Sequence, residues 1–180
     1  MIVERPAERQ WQELVRTYGP PSFFDRAIGK PHAGESEAGR GSGEVILLIF
    51  NLAGSCIFVK RKGSSDWFYP TGGIGPVEGI IEAARRVARE KAGVDIEPVG
   101  VPSCQRLILS LKGEAVQRWH IVVVAETASN VLTNDRSGVA EVGLFDIPPV
   151  VGDGEMFSWI DELHHIGTKY LRTLDALDGI

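Results

Sequence analysis

The chain has 180 residues, of which 43% are hydrophobic and 24% are charged, and its formal net charge is −5 at pH 7. This length is enough for one domain with a sizeable core, and the acidic balance argues against a broad electrostatic footprint for nucleic acid or an anionic membrane, although it leaves room for a local basic patch. No apolar run approaches the roughly 20 residues of a membrane span, and residues 1–6 lack the apolar core of a signal peptide.

The N-terminal part of the chain predicts a helix, a turn and a linker. Apolar side chains recur at helical spacing over residues 7–18, and the sequence Gly19-Pro20-Pro21 ends that helix. Residues 23–28, with Phe23 at their start, predict a short turn that packs on the core. Residues 29–43 are rich in Gly, Ser, Glu and Lys, which is typical of a mobile linker or loop.

Runs of β-forming residues between turn residues predict the strands of a sheet. Ala53-Gly54 marks the turn between the first two strands, and Lys112-Gly113-Glu114 marks a hairpin further along the chain. Pro148-Pro149 closes the last strand. The predicted strands cover residues 44–51, 54–60, 94–112 (as one or two strands), 115–127 and 139–147.

Residues 156–177 predict a terminal helix, because apolar side chains recur there as one stripe at helical spacing. Hairpins beside a central helix and a terminal helix favour a mixed sheet between helices. We therefore expect two parts. Residues 1–43 form an N-terminal helix and flexible linker, and residues 44–180 form one domain that includes the terminal helix.

The two cysteines, Cys56 and Cys104, both lie in apolar segments that resemble strands. We interpret them as buried free thiols in a reducing compartment rather than as a disulfide. Neither is surrounded by residues at the spacing of zinc ligands. These features indicate a cytoplasmic protein.

Residues 72–94 carry the most informative motif, a glycine-rich loop that opens onto a helix with carboxylates and arginines and ends at Gly93. The aromatic run Trp67-Phe68-Tyr69 and Pro70 precede the loop. This segment resembles the Nudix box, a loop-helix-loop signature that holds divalent metal against a diphosphate. The positions that match the box at fixed spacing are Gly72, Glu78, Arg86, Ala88, Glu90, Gly93 and Val94.

The resemblance covers about residues 44–150. It implies a Nudix-type α/β/α sandwich with a mixed β-sheet, to which the N-terminal helix is an extension. It also implies hydrolysis of a nucleoside diphosphate linked to another moiety, in which water attacks phosphorus with the help of Mg²⁺ or Mn²⁺.

The resemblance assigns an expected role to each matching residue. Glu90 would be the principal metal ligand and a catalytic carboxylate, and Glu78 a second metal ligand. Arg86 would orient the carboxylates of the helix. Glu141 lies in a segment similar to a later family segment, where a glutamate can assist metal or water, and would be an auxiliary catalytic acid. The residues expected to bind phosphate or substrate are Gly72 and Gly73 in the loop, and Arg89 and Lys91 on the helix.

Two positions depart from the family pattern, since Val87 and Lys91 stand where glutamates are expected. Positions 87, 90 and 91 share one helix face, on which three carboxylates would converge on hard cations. Here two carboxylates are lost and one ammonium is gained, so the formal charge of these two positions changes from −2 to +1. We therefore expect at most one Mg²⁺ or Mn²⁺ ion, held by one or two carboxylates and the substrate phosphates.

The same helix permits two other interpretations. Val87 could be extra core, Glu90 a partner of Arg86, and Lys91 a solvated cation at the helix end. Alternatively, Lys91 could hold a phosphate directly, with Arg86 or Arg89 nearby. Either would describe a catalytically inactive Nudix-fold module that binds a nucleotide, RNA or a protein partner.

The histidines carry weaker signals. His120 lies in a predicted strand and is interpreted as structural, whereas His164 and His165 lie on the terminal helix. We interpret both as solvated, with a general base as the less favoured alternative. The expected partner is a nucleotide-type small molecule, with no membrane and no broad nucleic-acid surface, and the apolar N-terminal helix could pack against a second copy of the chain.

Overall fold

The computed structural model describes residues 8–28, 43–111, 114–130, 132–133, 138–149 and 154–178. Within these residues the helices are α1 (Glu8–Tyr18), α2 (Ile80–Ala92) and α3 (Gly154–Asp178). The strands are β1 (Ser22–Ile28), β2 (Glu44–Asn51), β3 (Cys56–Arg61), β4 (Trp67–Phe68), β5 (Thr71–Gly73), β6 (Glu97–Leu111), β7 (Glu114–Thr127) and β8 (Val139–Phe145). Most of the predicted linker (29–42) and the hairpin residues 112–113 lie outside the described residues.

The strands form one mixed sheet, in which β1, β6, β7, β2, β3 and β4 follow one another from edge to edge. The pairs β1–β6 and β2–β7 are parallel, whereas β6–β7, β2–β3 and β3–β4 are antiparallel. Outside this order, β5 pairs with β2 and β8 pairs with β3. The short strand β5, which carries the first two glycines of the motif, is therefore fixed to the centre of the sheet.

Helices cover both faces of this sheet. Alternation along β2 sends Val45 to the face that carries α1 and α2, and Ile46 to the face that carries α3. The α2 side chains buried on the first face are Ile80, Ala83, Ala84, Val87, Ala88 and Ala92. The α3 side chains buried on the second face are Trp159, Ile160 and Leu163. The predicted α/β/α sandwich with a mixed sheet is confirmed.

The segment after α1 differs from the prediction. Residues 23–28 do not form a turn but lie in β1, which pairs in parallel with β6 over residues 103–109. The physical reason is that an edge strand presents unpaired backbone groups, and β1 satisfies those of β6. The ring of Phe23 lies 5.3 Å from that of Trp11, which is buried with Leu14 on the first face. The N-terminal part therefore contacts the sheet, and the boundary at residue 43 remains a prediction.

The predicted strand, the hairpin and the burial of the cysteines are confirmed. The region 94–112 supplies one strand, β6, and the pairing of Leu111 with Glu114 shows the predicted hairpin with β7. Cys56 and Cys104 are buried thiols, and neither forms a disulfide. The terminal helix extends beyond the predicted bounds by two residues at its start and one at its end. Among the described residues, no helix combines the length and apolar character needed to cross a membrane.

Candidate active site

Strand β5, which precedes the loop, packs closely against the middle of α2. Gly72 pairs with Val45 of β2, and a Cβ at Gly72 would lie 2.6 Å from Cγ2 of Val87 in α2. No larger residue fits that gap without movement of the helix or strand. A Cβ at the neighbouring Gly73 would meet its nearest atom only at 4.0 Å. Gly72 therefore allows α2 to pack directly on β5.

Helix α2 begins and ends at glycines. At its start, Glu82 Oε2 accepts a hydrogen bond of 2.9 Å from the Gly79 N–H, which satisfies one backbone donor at the N-terminus. At its end, Gly93 has φ 68° and donates its N–H to Arg89 O. This left-handed conformation favours glycine. These caps fix the length and direction of the helix that carries the expected site residues.

Arg86 joins the loop to the helix. Its Nε and Nη2 donate to Glu78 Oε1 and Oε2 at 2.7 and 2.8 Å, a two-pronged pair across the loop. Its Nη2 also donates to the Gly73 carbonyl at 2.7 Å, and its Nη1 to Glu90 Oε2 at 3.2 Å. Glu78 Oε2 accepts a further hydrogen bond from the Gly75 N–H at 2.9 Å. The expected orienting role of Arg86 thus has a geometric basis in these contacts.

These hydrogen bonds also affect the protonation of the Glu78 carboxyl group. The hydrogen bonds from Arg86 hold the pKa of Glu78 below its ordinary value, partial burial opposes that shift, and the Gly75 N–H adds to it. Glu78 is therefore a carboxylate at neutral pH. Because both of its oxygens accept hydrogen bonds from protein groups, its first role in this conformation is to hold the loop.

Val87 belongs to the core rather than to an open cleft. Its side chain is fully buried among the apolar residues between α2 and the sheet, and it lies against Gly72. The interpretation of Val87 as extra core is confirmed. It follows that only positions 90 and 91 of the altered helix face are partly open to solvent.

Lys91 lies at the end of this face, half-buried. Burial lowers its pKa, the negative charge of Glu90 opposes that shift, and the positive charges of Arg61 and Arg86 add to it. Lys91 is therefore not a fully solvated cation at the helix end. Arg61 is the last residue of β3, at a shift in the register between β3 and β8.

Two expected site residues have other partners. Glu141 pairs with Lys60 across the β3–β8 ladder, with Nζ 3.0 Å from Oε1, and Lys60 Nζ lies 5.4 Å from the ring centroid of Trp67. Arg89 donates to Asp95 Oδ1 at 2.6 Å in the exposed turn after α2. Among the described residues, the ion pairs of Glu141 and Arg89 are made with Lys60 and Asp95 rather than with the cluster around Arg86, so the structure does not bring them together with it.

Glu78 and Glu90 provide too few available ligand atoms for a cluster of several metal ions. Among the residues that the structure describes, no three His, Cys, Asp or Glu side chains form a group that could hold a metal ion. Glu78 is occupied by Arg86 and Gly75, and Glu90 shares Oε2 with Arg86 but is 42% exposed. The residues fit a single Mg²⁺ at Glu90 that takes its remaining ligands from water and substrate phosphates, because Mg²⁺ commonly binds in this way.

A row of buried polar side chains adjoins the loop, and sequence reasoning missed it. Glu44, the register partner of Gly73, is also the partner of His120, which in turn pairs with Gln105. His120 Nε2 lies 3.1 Å from Glu44 Oε2, but the carboxylate is out of line with the ring N–H. Within the described part of the chain, neither ring nitrogen completes a hydrogen bond. Trp159 covers the row, stacking on His120 and donating to Gln105 Oε1 at 3.0 Å.

The available signal for this row was the presence of a polar residue in each of three largely apolar strands, with Glu44 in β2, Gln105 in β6 and His120 in β7. His120 is structural in the predicted sense, since it is buried within the sandwich. On α3, His165 is exposed as predicted. The expectation of a solvated side chain is wrong for His164, which is half-buried with its ring 5.9 Å from that of Phe50. Burial lowers the pKa of His164, and the charge of Asp161 opposes that shift.

The fold and the loop-helix site define a family. The NUDIX domain family matches residues 42–159, which is more than half of the chain. The chain belongs to the NUDIX family. The match begins just before β2 and ends within α3, so it includes the sheet centre, the glycine loop and α2.

Known proteins resemble the chain over different shares of their length. The 8-oxo-dGDP phosphatase NUDT18 of Danio rerio is 33% identical over 91 residues, which are 48% of this chain and 26% of that protein. The match thus spans about a quarter of this relative.

Two solved structures illustrate the shared fold. A MutT protein from Methanosarcina mazei Go1 superposes with a TM-score of 0.51 at 17% identity, over 71% of this chain and 92% of that one. A UDP-X diphosphatase superposes with a TM-score of 0.55 at 13% identity, over 89% of this chain and 70% of that one. At these identities the likeness shows the fold alone.

Proposed function

We propose that this chain hydrolyses a nucleoside diphosphate linked to another moiety, by attack of water on phosphorus. The observation that carries the proposal is the network in which Arg86, in the middle of α2, holds Glu78, Glu90 and the Gly73 carbonyl. This network keeps a glycine loop and a partly open carboxylate, Glu90, in fixed relative positions. Hydrolysis of a diphosphate needs such fixed positions, because positioning and electrostatic stabilisation supply most of its catalysis.

The residues have separate tasks in this proposal. Gly72 and Gly73 shape the loop beside which the phosphates lie, and Arg86 with Glu78 holds that loop against α2. Glu90 is the proposed catalytic carboxylate and principal metal ligand. When bound there, a single Mg²⁺ or Mn²⁺ would neutralise the diphosphate and make the attacking water more acidic.

Glu141, Arg89 and Glu78 keep the roles proposed for them from the sequence, but each must first give up a contact that it makes in the structure. Glu141 can act as an auxiliary acid only if it leaves Lys60, and Arg89 can reach a phosphate only if it leaves Asp95. Both pairs are exposed, and exposed pairs typically contribute less than about 1 kcal/mol, so exchange is inexpensive. Glu78 can bind a metal only at the expense of its bonds to Arg86.

The names of similar proteins support the substrate class. The Danio rerio relative is named for 8-oxo-dGDP, which is a nucleoside diphosphate. The structural neighbour with the larger superposed share is named a UDP-X diphosphatase, and so for a linked nucleoside diphosphate. The two buried cysteines, which form no disulfide, support a reducing, cytoplasmic setting.

A turnover assay tests the proposal. The full chain is incubated with a panel of nucleoside diphosphates and nucleoside diphosphate conjugates, with Mg²⁺, with Mn²⁺ and with EDTA, and products are separated by chromatography. We expect hydrolysis of at least one compound that Glu90→Gln abolishes. Glu82→Gln is the matched control on the same helix, because a glutamine can keep the bond to the Gly79 N–H.

The opposite result favours the inactive module. No turnover by the wild-type chain on any compound, together with saturable nucleotide binding, would favour a binding function. The observation in favour of a binding function is that half-buried Lys91 stands on the altered helix face, where the family pattern has a glutamate.

A further inference from the structure

Four buried polar atoms lie close together on the sheet face that α3 covers. They are Ser103 Oγ, Gln105 Nε2 and both ring nitrogens of His120, and in the described part of the sandwich none of them completes a hydrogen bond. Each of these three residues is only 1% exposed. Natural proteins retain few unsatisfied buried polar atoms, because each one is costly. Four of them on one patch indicate capacity to bind a polar ligand.

The register of the sheet connects this patch to the glycine loop. Gln105 lies opposite His120, and His120 lies opposite Glu44, so the three side chains form a polar row across β6, β7 and β2. Two strand spacings give this row a length of about 10 Å. The backbone of Glu44 pairs with Gly73, where the glycine loop begins. The polar row therefore leads from the interior of the sandwich to the proposed position of the diphosphate.

The indole of Trp159 shows which kind of ring fits against the polar row. Its plane lies within 18° of the plane of His120, and the two ring centroids are 5.8 Å apart. Its Nε1 donates to Gln105 Oε1 at 3.0 Å, and the ring of Phe68 lies 5.1 Å from it. The polar row thus accepts a flat heteroaromatic ring that carries an N–H donor, next to a second aromatic surface.

Trp159 can uncover the polar row while α3 stays in place. It lies in the second turn of the helix, which begins at Gly154. The next residue, Ile160, is fully buried against the sheet, and its carbonyl accepts a hydrogen bond of 3.0 Å from the Tyr69 hydroxyl. The helix backbone is therefore anchored beside Trp159. A change of rotamer of this one side chain is enough to vacate the place of the indole.

We infer that the polar row recognises the heterocyclic base of a nucleotide, and that the Trp159 indole closes the row until the base takes its place. A base is flat, carries donors and acceptors along one edge, and stacks on aromatic rings. Gln105 offers an amide donor, His120 a ring nitrogen and Glu44 carboxyl acceptors to such an edge. His120 has this role besides its structural place in β7. The inference rests on the proposed function for the position of the diphosphate, and it adds how the base is selected.

Nucleotide binding in EDTA tests the polar row without hydrolysis. Isothermal titration calorimetry on the full chain compares the diphosphates of adenosine, guanosine, cytidine and uridine, with inorganic pyrophosphate as the ligand that lacks a base. One nucleoside diphosphate should bind at least about tenfold more tightly than the weakest one and than pyrophosphate, because buried hydrogen-bonding groups reject a mismatched edge. Gln105→Leu and His120→Leu should each reduce this preference about tenfold, and neither should change the affinity for pyrophosphate.

Urea unfolding of the same variants separates recognition from packing. A row that only supports the sandwich would lose stability in His120→Leu and keep the nucleotide preference. A row that recognises a base loses the preference while the unfolding midpoint changes little, because an apolar side chain of similar size replaces unsatisfied polar atoms. His120→Gln replaces His120→Leu if the latter fails to fold. The matched control is Trp119→Phe, which lies next to His120 but packs on the opposite face and should leave the preference unchanged.

The closing role of Trp159 has its own readout. Trp159→Ala should bind the preferred nucleotide at least about threefold more tightly than the wild type, because the closed state no longer competes with the base. Trp159→Phe, which lacks the N–H donor, takes its place if the alanine variant fails to fold. An equal or weaker affinity in the variant that folds would contradict the closing role.

Equal affinities for all four nucleotides in both the wild type and Trp159→Ala would overturn the inference, as would a preference that neither Gln105→Leu nor His120→Leu reduces. Its failure is distinguishable from failure of the proposed function. A chain that selects one base in EDTA but hydrolyses nothing with metal contradicts only the function. A chain that hydrolyses nucleotides of every base with equal efficiency contradicts only the inference.

Discussion

Arg86 connects the glycine loop to the charged face of α2 through four hydrogen bonds. No local pattern on the helix alone produces this arrangement, because Glu78 lies in the loop before α2 and the Gly73 carbonyl lies at the end of β5. The planar guanidinium supplies several donors in a fixed fork, which a lysine cannot reproduce. The geometry of the site therefore depends on the shape of this side chain as well as on its charge.

Arg86→Lys tests that dependence. We expect kcat/KM for the substrate found in the turnover assay to fall about 100-fold, because loss of the fork lets the loop shift by a fraction of an ångström or more. The free energy of unfolding should fall by only about 1–2 kcal/mol, since Arg86 is 38% exposed and solvent screens its pairs. Steady-state kinetics and urea unfolding measure the two effects. Unchanged kinetics would show that charge alone suffices.

Glu78 gives a prediction for pH. Its pKa in the folded chain is lowered from an ordinary value of 4.5, so its contribution to stability is present above that value and is lost as pH falls through the folded pKa. Urea unfolding of the wild type and of Glu78→Gln, from about pH 7 to about pH 3, should give a difference in stability that is largest near neutrality and shrinks in acid. A difference that stays constant with pH would contradict the assigned role.

At the scale of elements, the contact between β5 and α2 sets the position of the site. Gly72 and Val87 touch where the strand and helix cross, and the chain between them forms the loop and the first half of α2. A valine at position 87 fills this contact with apolar atoms, whereas a glutamate there would bring a carboxylate into a buried environment that needs a compensating cation. The loss of the box glutamate is thus tied to packing as well as to chemistry.

Gly72→Ala should lower the free energy of unfolding by about 1–3 kcal/mol, because its Cβ would overlap Val87. Gly73→Ala is the matched control and should be better tolerated, since its Cβ has room. In a Val87→Ala background the Gly72→Ala substitution should cost less, with a coupling of about 0.5–3 kcal/mol. Urea unfolding of the double-mutant cycle measures this term, and simple additivity would argue against the contact.

At the scale of the whole molecule, the sandwich includes more of the N-terminal part than the glycine motif indicates. Trp11 and Leu14 are buried on the first face, and β1 covers the edge of β6. An uncovered edge strand exposes backbone groups that pair readily with other chains. The first 43 residues therefore contribute to the stability of the sheet.

Deletion of residues 1–43 should lower the unfolding midpoint by at least about 5 °C, because it removes two buried apolar side chains and the partner of an edge strand. It should also promote association of the shortened chain, seen by size-exclusion chromatography. Trp11→Ala is the narrower control and should lower the midpoint without exposing β6. An unchanged midpoint and a monomeric shortened chain would instead support residues 44–180 as an independent domain.

The sequence predicted those parts of the fold that local patterns specify. Apolar periodicity predicted α3, and turn residues predicted the hairpin of β6 and β7. The fixed spacing of the motif residues predicted the loop and α2. Strand β1 was missed because its pairing with β6 is made about 80 positions away along the chain, and no local signal reports it. For the same reason sequence spacing could not show that Glu141 pairs with Lys60.

The most direct test of the central proposal is hydrolysis in water enriched in ¹⁸O, with the active compound and divalent metal found in the turnover assay. Attack of water on phosphorus predicts that mass spectrometry finds one ¹⁸O atom in one phosphate-containing product, at a rate that Glu90→Gln abolishes and Glu82→Gln preserves. Label in a product that lacks phosphate, or equal rates for Glu90→Gln and the wild type, would contradict the proposed reaction.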